Sequence, residues 1–151
     1  YFTEVRYAPT LAHAVLQFTA SRFIIESPAG RSISSEVLES LLNAFYREKA
    51  HEKLLSRVRY WERQSGLQAR GVRIRHFQSR WASCNAQNVL EFHPRVMELP
   101  ASAQDYVIVH ELCHTVEKSH TRAFWVLVAR QMPDWRKRHE ALEQAAFGYV
   151  V

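Results

Sequence analysis

Apolar residues recur at helical spacing from Val37 through Leu38, Leu41, Leu42, Phe45, Leu54, Leu55 and Val58 to Trp61. Steps of three and four keep them on one side of a 3.6-residue turn, which predicts one long helix from Ser34 to the neighbourhood of Gly66. Ser35 is the expected N-cap, because a serine hydroxyl can accept one of the orphan amide protons of the first turn. Gly66 is the expected stop, since glycine adopts the left-handed conformation at no steric cost. The segment Gly71–Phe77 then alternates with period two, placing Val72, Ile74 and His76 on one face of a strand and Arg73, Arg75 and Phe77 on the other. After a turn at Asn85–Asn88, Val89–His93 reads as a second strand, and the pair is expected to be antiparallel. Pro100 and Ser102 open a helix through Asp105–His114 that is apolar nearly all round, as a buried helix should be. Another helix starts near Thr121, carries Phe124, Trp125, Leu127 and Val128, and stops before Pro133. A last one runs from about Asp134 to Ala146. Residues 1–30 are the least legible: Phe23-Ile24-Ile25 reads as a short strand stopped by Ser27-Pro28-Ala29-Gly30, and His13–Phe18 fits a strand or a helical turn.

The class is therefore α+β, with a long helix in the N-terminal half, a small antiparallel sheet and a buried helix followed by C-terminal helices. The expected division is an N-terminal segment of short strands, residues 1–30, and one domain over 31–151. At 151 residues, 47% apolar and 23% charged, the chain has the composition of an ordinary globule. No apolar run approaches the roughly 18 residues of a membrane span, and the opening YFTEVRYAPT has no charged and then apolar stretch of signal-peptide form. The lack of an initiator Met points to a native start further upstream. Two cysteines, Cys84 and Cys113, cannot frame a disulfide scaffold, so the cytoplasm is the expected compartment. Net charge is +5, and between Arg47 and Arg80 ten Arg or Lys residues face three Glu. That Arg-rich stretch, 47–80, makes a nucleotide or nucleic acid one conceivable partner, although a solvated helix face plus the exposed side of a strand is the simpler reading.

The chemistry concentrates in His110-Glu111-Leu112-Cys113-His114, a His-Glu-x-x-His pattern on the buried helix. Helical positions four apart are offset by only about 40°, so the two imidazoles face one way and can share a metal ion. Zinc favours such nitrogen ligands at roughly 2.0–2.1 Å. Glu111 lies about 100° away, beside the ion rather than on it, where it can exchange protons with an activated water. A catalytic zinc site needs a third protein ligand, and His120 is the preferred candidate. On an unbroken helix His120 would point roughly 240° away from His114. The helix must then break near Lys118-Ser119, with Thr121 capping a fresh one. Glu117 is the rival on the same helical face, but about 10 Å along the axis from His110. His76 and His93, on neighbouring strands, are weaker candidates. Cys84 as a fourth ligand would close the site, and Cys113 reads as a small buried residue. Trp81, Ser83 and Cys84 are candidates to line the cleft.

HELCH, five residues, then His120, followed by TRAFW and MPDWRKR and preceded by FQSRWASC, resembles the YgjP-like metal-dependent hydrolases, relatives of the SprT-like zinc metallopeptidases. The likeness runs from about Leu42 to Leu142. It implies a minimal zincin-like fold, His110, His114 and His120 as ligands of one zinc ion, and Glu111 as the catalytic acid/base. Ala82, Ser119 and Thr115 depart from the residues usual in that family without touching a proposed ligand.

The leading function is a zinc-dependent hydrolase, most simply a metallopeptidase acting on a peptide or protein through a Glu-activated, metal-bound water. One alternative keeps the metal and hydrolyses a nucleotide phosphoanhydride. Another is a zinc-stabilised nucleic-acid module without catalysis, in which Tyr60, Trp61, Phe77 and Trp81 stack on bases. Core packing is the simpler role for those four rings.

Overall fold

The computed structural model describes residues 2–19, 22–28 and 32–145, which form two compact units, 1–46 and 47–151. The first holds a three-stranded sheet of β1 (Phe2–Tyr7), β2 (Val15–Thr19) and β3 (Arg22–Ser27) in the order β1-β3-β2. β3 runs parallel to β1 and antiparallel to β2. Phe23, Ile24 and Ile25 are consecutive and all buried, as befits a central strand. The ring of Phe23 meets Phe18 at 4.8 Å and Phe45 at 5.3 Å between centroids. So His13–Phe18 resolves into a strand from Val15 onward. Ala29 and Gly30, in the expected stop, lie outside the described residues, as does Ala146.

The long helix α1 spans Ser35–Ser65, about 46 Å at 1.5 Å per residue. Its cap is Ser34 rather than the expected Ser35. The Ser34 hydroxyl accepts from Val37 N–H at 3.4 Å and its carbonyl from Leu38 N–H at 3.0 Å. An N-cap side chain reaches the amide two or three residues on, which fits Ser34 here. Val37 falls off the apolar stripe and is 43% exposed, whereas Ala50, Leu54 and Val58 are buried. Gly66 ends the helix at φ +72°, the conformation for which glycine is favoured.

The second unit carries β4 (Gly71–Ile74), β5 (Ala82–Cys84), β6 (Val89–Phe92) and a 3-10 turn at Pro94–Glu98. Three helices follow: α2 (Ala101–Cys113), α3 (Arg122–Gln131) and α4 (Trp135–Ala145). The sheet order is β4-β6-β5, with β4 parallel to β6 and β5 antiparallel to it. This corrects the expected antiparallel pairing of 71–77 with 89–93. Period-two alternation identifies a strand without giving its partner or direction. Here residues 75–81 cross to the far side of β6, and the tight turn joins β5, not β4, to β6. Asn85 builds that turn by accepting Gln87 and Val89 amides at 3.0 Å each, and Asn88 takes φ +61°. His76 and Phe77 lie beyond the end of β4.

Every residue of α2 from Asp105 to Cys113 is buried. Asp105, only 6% exposed, is held by a two-pronged ion pair with Arg57 of α1, and Arg138 of α4 approaches it at 3.9 Å. Burying a carboxylate requires such partners, and the pairing fixes the register of α2 against its neighbours. No helix among the described residues is long and apolar enough to cross a membrane.

Candidate metal centre

His110–Cys113 form the last turn of α2, and His114 is its C-cap. Val107, Ile108, Val109 and Leu112 lock that turn into the core, so His110 and Glu111 are carried on a rigid element. The helix ends at Cys113, a turn earlier than expected, and residues 114–121 form an irregular return. Thr115 Oγ1 donates to the Leu112 carbonyl at 2.7 Å, turning the chain out of the helical path. Thr121 then caps α3, its hydroxyl accepting from Phe124 N–H at 3.3 Å, as expected.

This return brings His120 back over the two helical histidines. His120 Nε2 lies 2.9 Å from His110 Nε2 and 3.1 Å from His114 Nε2. The candidate ligand atoms of the three residues all fall within 4.8 Å of one another. Glu117 meets the cluster only through its backbone, since its carbonyl accepts the His114 Nδ1 proton at 2.8 Å. That bond leaves the His114 Nε2 lone pair facing the other two rings. His110 Nδ1 sits 3.4 Å from the Tyr106 hydroxyl. His76 and His93 meet each other edge to face at 5.1 Å, and His93 Nδ1 accepts from Arg95 N–H. Cys84 Sγ lies 3.7 Å from Lys118 Nζ.

Burial drives the His110 ring well below its ordinary value, to about 2, with the neighbouring histidines adding to the effect. Burial likewise lowers His114, partly offset by its bond to the Glu117 carbonyl. Both rings are thus held neutral, the form that binds a metal. Three nitrogens at corners of a tetrahedron with bonds near 2.0–2.1 Å stand about 3.3 Å apart. The observed separations of 2.9 and 3.1 Å are close to that. With Nε2 unprotonated on all three rings the lone pairs converge on one point, so the donor set fits a divalent ion such as zinc.

Glu111 is 2% exposed, and among the described residues its Oε2 has no hydrogen-bond partner. Burial raises its carboxyl to about 8, against the opposing pull of the Arg80 charge and the Cys84 backbone. An unpartnered oxygen at full burial is costly in a merely structural residue. In the metal-free protein the folded state keeps this proton between pH 4.5 and about 8, where the unfolded chain has released it. Stability therefore falls as pH rises through that window. Glutamine cannot ionise, so metal-free Glu111→Gln should melt close to wild type at pH 4.5 and several degrees higher at pH 8. Thermal unfolding with a chelator present checks this, and an equal offset at both pH values would contradict it.

Sequence reasoning missed the rings that surround the cluster. Tyr106 precedes His110 by four residues and so shares its helical face, a signal that was available. Phe124 lies flat on His114 at 4.3 Å and Trp125 flat on His120 at 5.6 Å, contacts made across a chain reversal that no periodicity reveals. Arg80 belongs both to the basic stretch and to the FQSRWASC segment, and neither pattern links its charge to Glu111.

A family model described as YgjP-like, metallopeptidase domain, matches residues 5–145. Among solved structures, the chain is similar to the metallopeptidase zymogen of Pyrococcus abyssi abylysin, with TM-score 0.57 and 20% identity. That similarity covers 64% of this chain and 97% of the other, and it is a likeness of fold. No curated protein matches the chain.

Proposed function

The chain belongs to the YgjP-like metallopeptidase family, and from that premise we propose that it is a zinc-dependent peptidase in which His110, His114 and His120 hold the ion and Glu111 moves the protons. The observation that carries this reading is the pairing of three converging imidazole nitrogens with one buried carboxylate whose Oε2 is unpartnered. When bound, zinc supplies Lewis acidity: it polarises a carbonyl and brings the pKa of water toward about 7. The chain does the rest. Glu111 Oε2 takes a proton from the attacking water and later delivers it to the leaving amine. A divalent charge beside it would oppose the effect of burial on this carboxyl and favour the ionised form that can accept the proton. The buried Val109 and Leu112 on either side keep α2 from shifting, so Glu111 stays aligned.

The nucleic-acid reading keeps little of its aromatic support. Trp81 is 2% exposed and Trp61 packs against the same core. Tyr60, 40% exposed, and Phe77 each have an arginine over one face, Arg57 at 5.3 Å and Arg75 at 5.4 Å. Arg57 and Arg75 are engaged with Asp105 and Glu91. Peptides are therefore the substrate class we favour. Cys84 and Cys113 are both free thiols, which suits a reducing cytoplasm.

The test is removal and return of the metal. Dialysis against a chelator should abolish cleavage of a quenched-fluorescence peptide library, and one equivalent of zinc per chain should restore it. Cleavage that persists in the metal-free protein would refute the assignment.

A further inference from the structure

We propose that Trp125, backed by Trp135, is a positioning residue of the metal centre: its indole face holds the exposed third imidazole, His120, in the orientation that completes the cluster. The proposal rests on reading that cluster as the metal site.

The three rings are fixed unequally. His110 is buried and has Tyr106 at its Nδ1. His114 donates from Nδ1 to the Glu117 carbonyl and lies flat on Phe124, with planes 23° apart. His120 is exposed and belongs to neither helix. Among the described residues its Nδ1 has no hydrogen-bond partner; its polar contacts are those of Nε2 with the other two rings. What orients it is ring contact. Trp125 lies nearly parallel to it, at 5.6 Å and 21°, and Phe124 meets it edge-on at 4.9 Å and 79°. Trp125 in turn lies flat on Trp135 at 4.7 Å and 21°, and the Arg136 guanidinium covers Trp135 at 4.8 Å. A column of stacked groups thus runs from His120 to the first residues of α4.

Two effects make this column matter for binding rather than for folding alone. A loop imidazole loses rotamer freedom when it ligates an ion, and a ring already held in place loses less. An imidazole bound to a cation is electron-poor, and the indole face is the aromatic surface that best favours positive charge. The stack is therefore stronger in the metal-loaded protein than in the metal-free one. By linkage, that difference appears as metal affinity. A purely structural tryptophan would alter the melting of the metal-free chain and leave affinity alone.

The experiment is a zinc titration against a chromophoric chelator on the full chain, with cobalt(II) visible absorption as a second readout. Wild type, Trp125→Phe, Trp125→Leu, Trp135→Leu and His120→Ala are compared. Trp125→Leu should bind zinc roughly 10–100-fold more weakly, the effect usual for lost support of a ligand. Trp125→Phe, which keeps a flat ring, should stay within a few-fold of wild type. Wild-type affinity in Trp125→Leu, with His120→Ala impaired, would overturn the proposal and leave the metal site standing. Wild-type protein that binds no zinc would overturn the site and the proposal with it. Should Trp125→Leu fail to fold, the decision passes to Trp135→Leu, which withdraws only the outer ring: zinc binding weakened severalfold supports the proposal, and unchanged binding overturns it.

Discussion

Glu111→Gln should keep its zinc at one ion per chain and lose peptide hydrolysis by roughly 10²–10⁴-fold in kcat, the usual contribution of a positioned acid or base. The substitution is close to isosteric, and Glu111 is not among the three residues whose nitrogens converge. Metal content and fold should therefore survive. What disappears is the ability to accept and return a proton at the buried Oε2 position. KM should change little, because the carboxylate contributes in the transition state rather than to substrate binding. The readouts are zinc content of the purified variant and steady-state cleavage of a peptide that the wild type cuts. Undiminished kcat with full zinc occupancy would remove Glu111 from the mechanism. Loss of zinc together with activity would instead mean that the carboxylate helps hold the ion.

The centre was legible in the sequence because its first half is local. Two histidines four apart on a helix share a face by geometry, and the apolar residues around them required that helix to be buried. His120 follows as third ligand once the helix breaks near Lys118-Ser119, and the family resemblance implies the same residue. The structure adds the reason: the Thr115 hydroxyl turns the chain at the Leu112 carbonyl, and Thr121 starts α3, so the intervening residues fold back. Other features escaped because they depend on partners distant in sequence. The direction of β4 relative to β6 is set by where residues 75–81 run, which alternation does not encode. β1 was unreadable by itself because its partner, β3, lies beyond an intervening strand, and parallel pairing leaves no short-turn signature. The indole of Trp125 scans as one more apolar position of an amphipathic helix until His120 is placed against it.

His120→Ala should abolish stoichiometric zinc binding while leaving the fold intact. His110 sits in the core beside Tyr106 and Phe124, so replacing it would confound loss of a ligand with a cavity. His120 is exposed, lies outside any helix, and donates to no backbone group that another residue needs. Its removal takes away one nitrogen donor and the ring contacts with Trp125 and Phe124 but opens no buried cavity, so the metal-free melting temperature should stay within a few degrees of wild type. Losing one of three ligands should cost more affinity than the roughly 10–100-fold lost with an outer-shell partner. Two imidazoles from adjacent turns of one helix do not enclose an ion on three sides, and the variant should emerge from dialysis without metal. Elemental analysis beside calorimetry of the metal-free protein reads both halves of the expectation. Full zinc content in this variant would exclude His120 as a ligand. Glu117, His76 and His93 would then be reopened as candidate ligands.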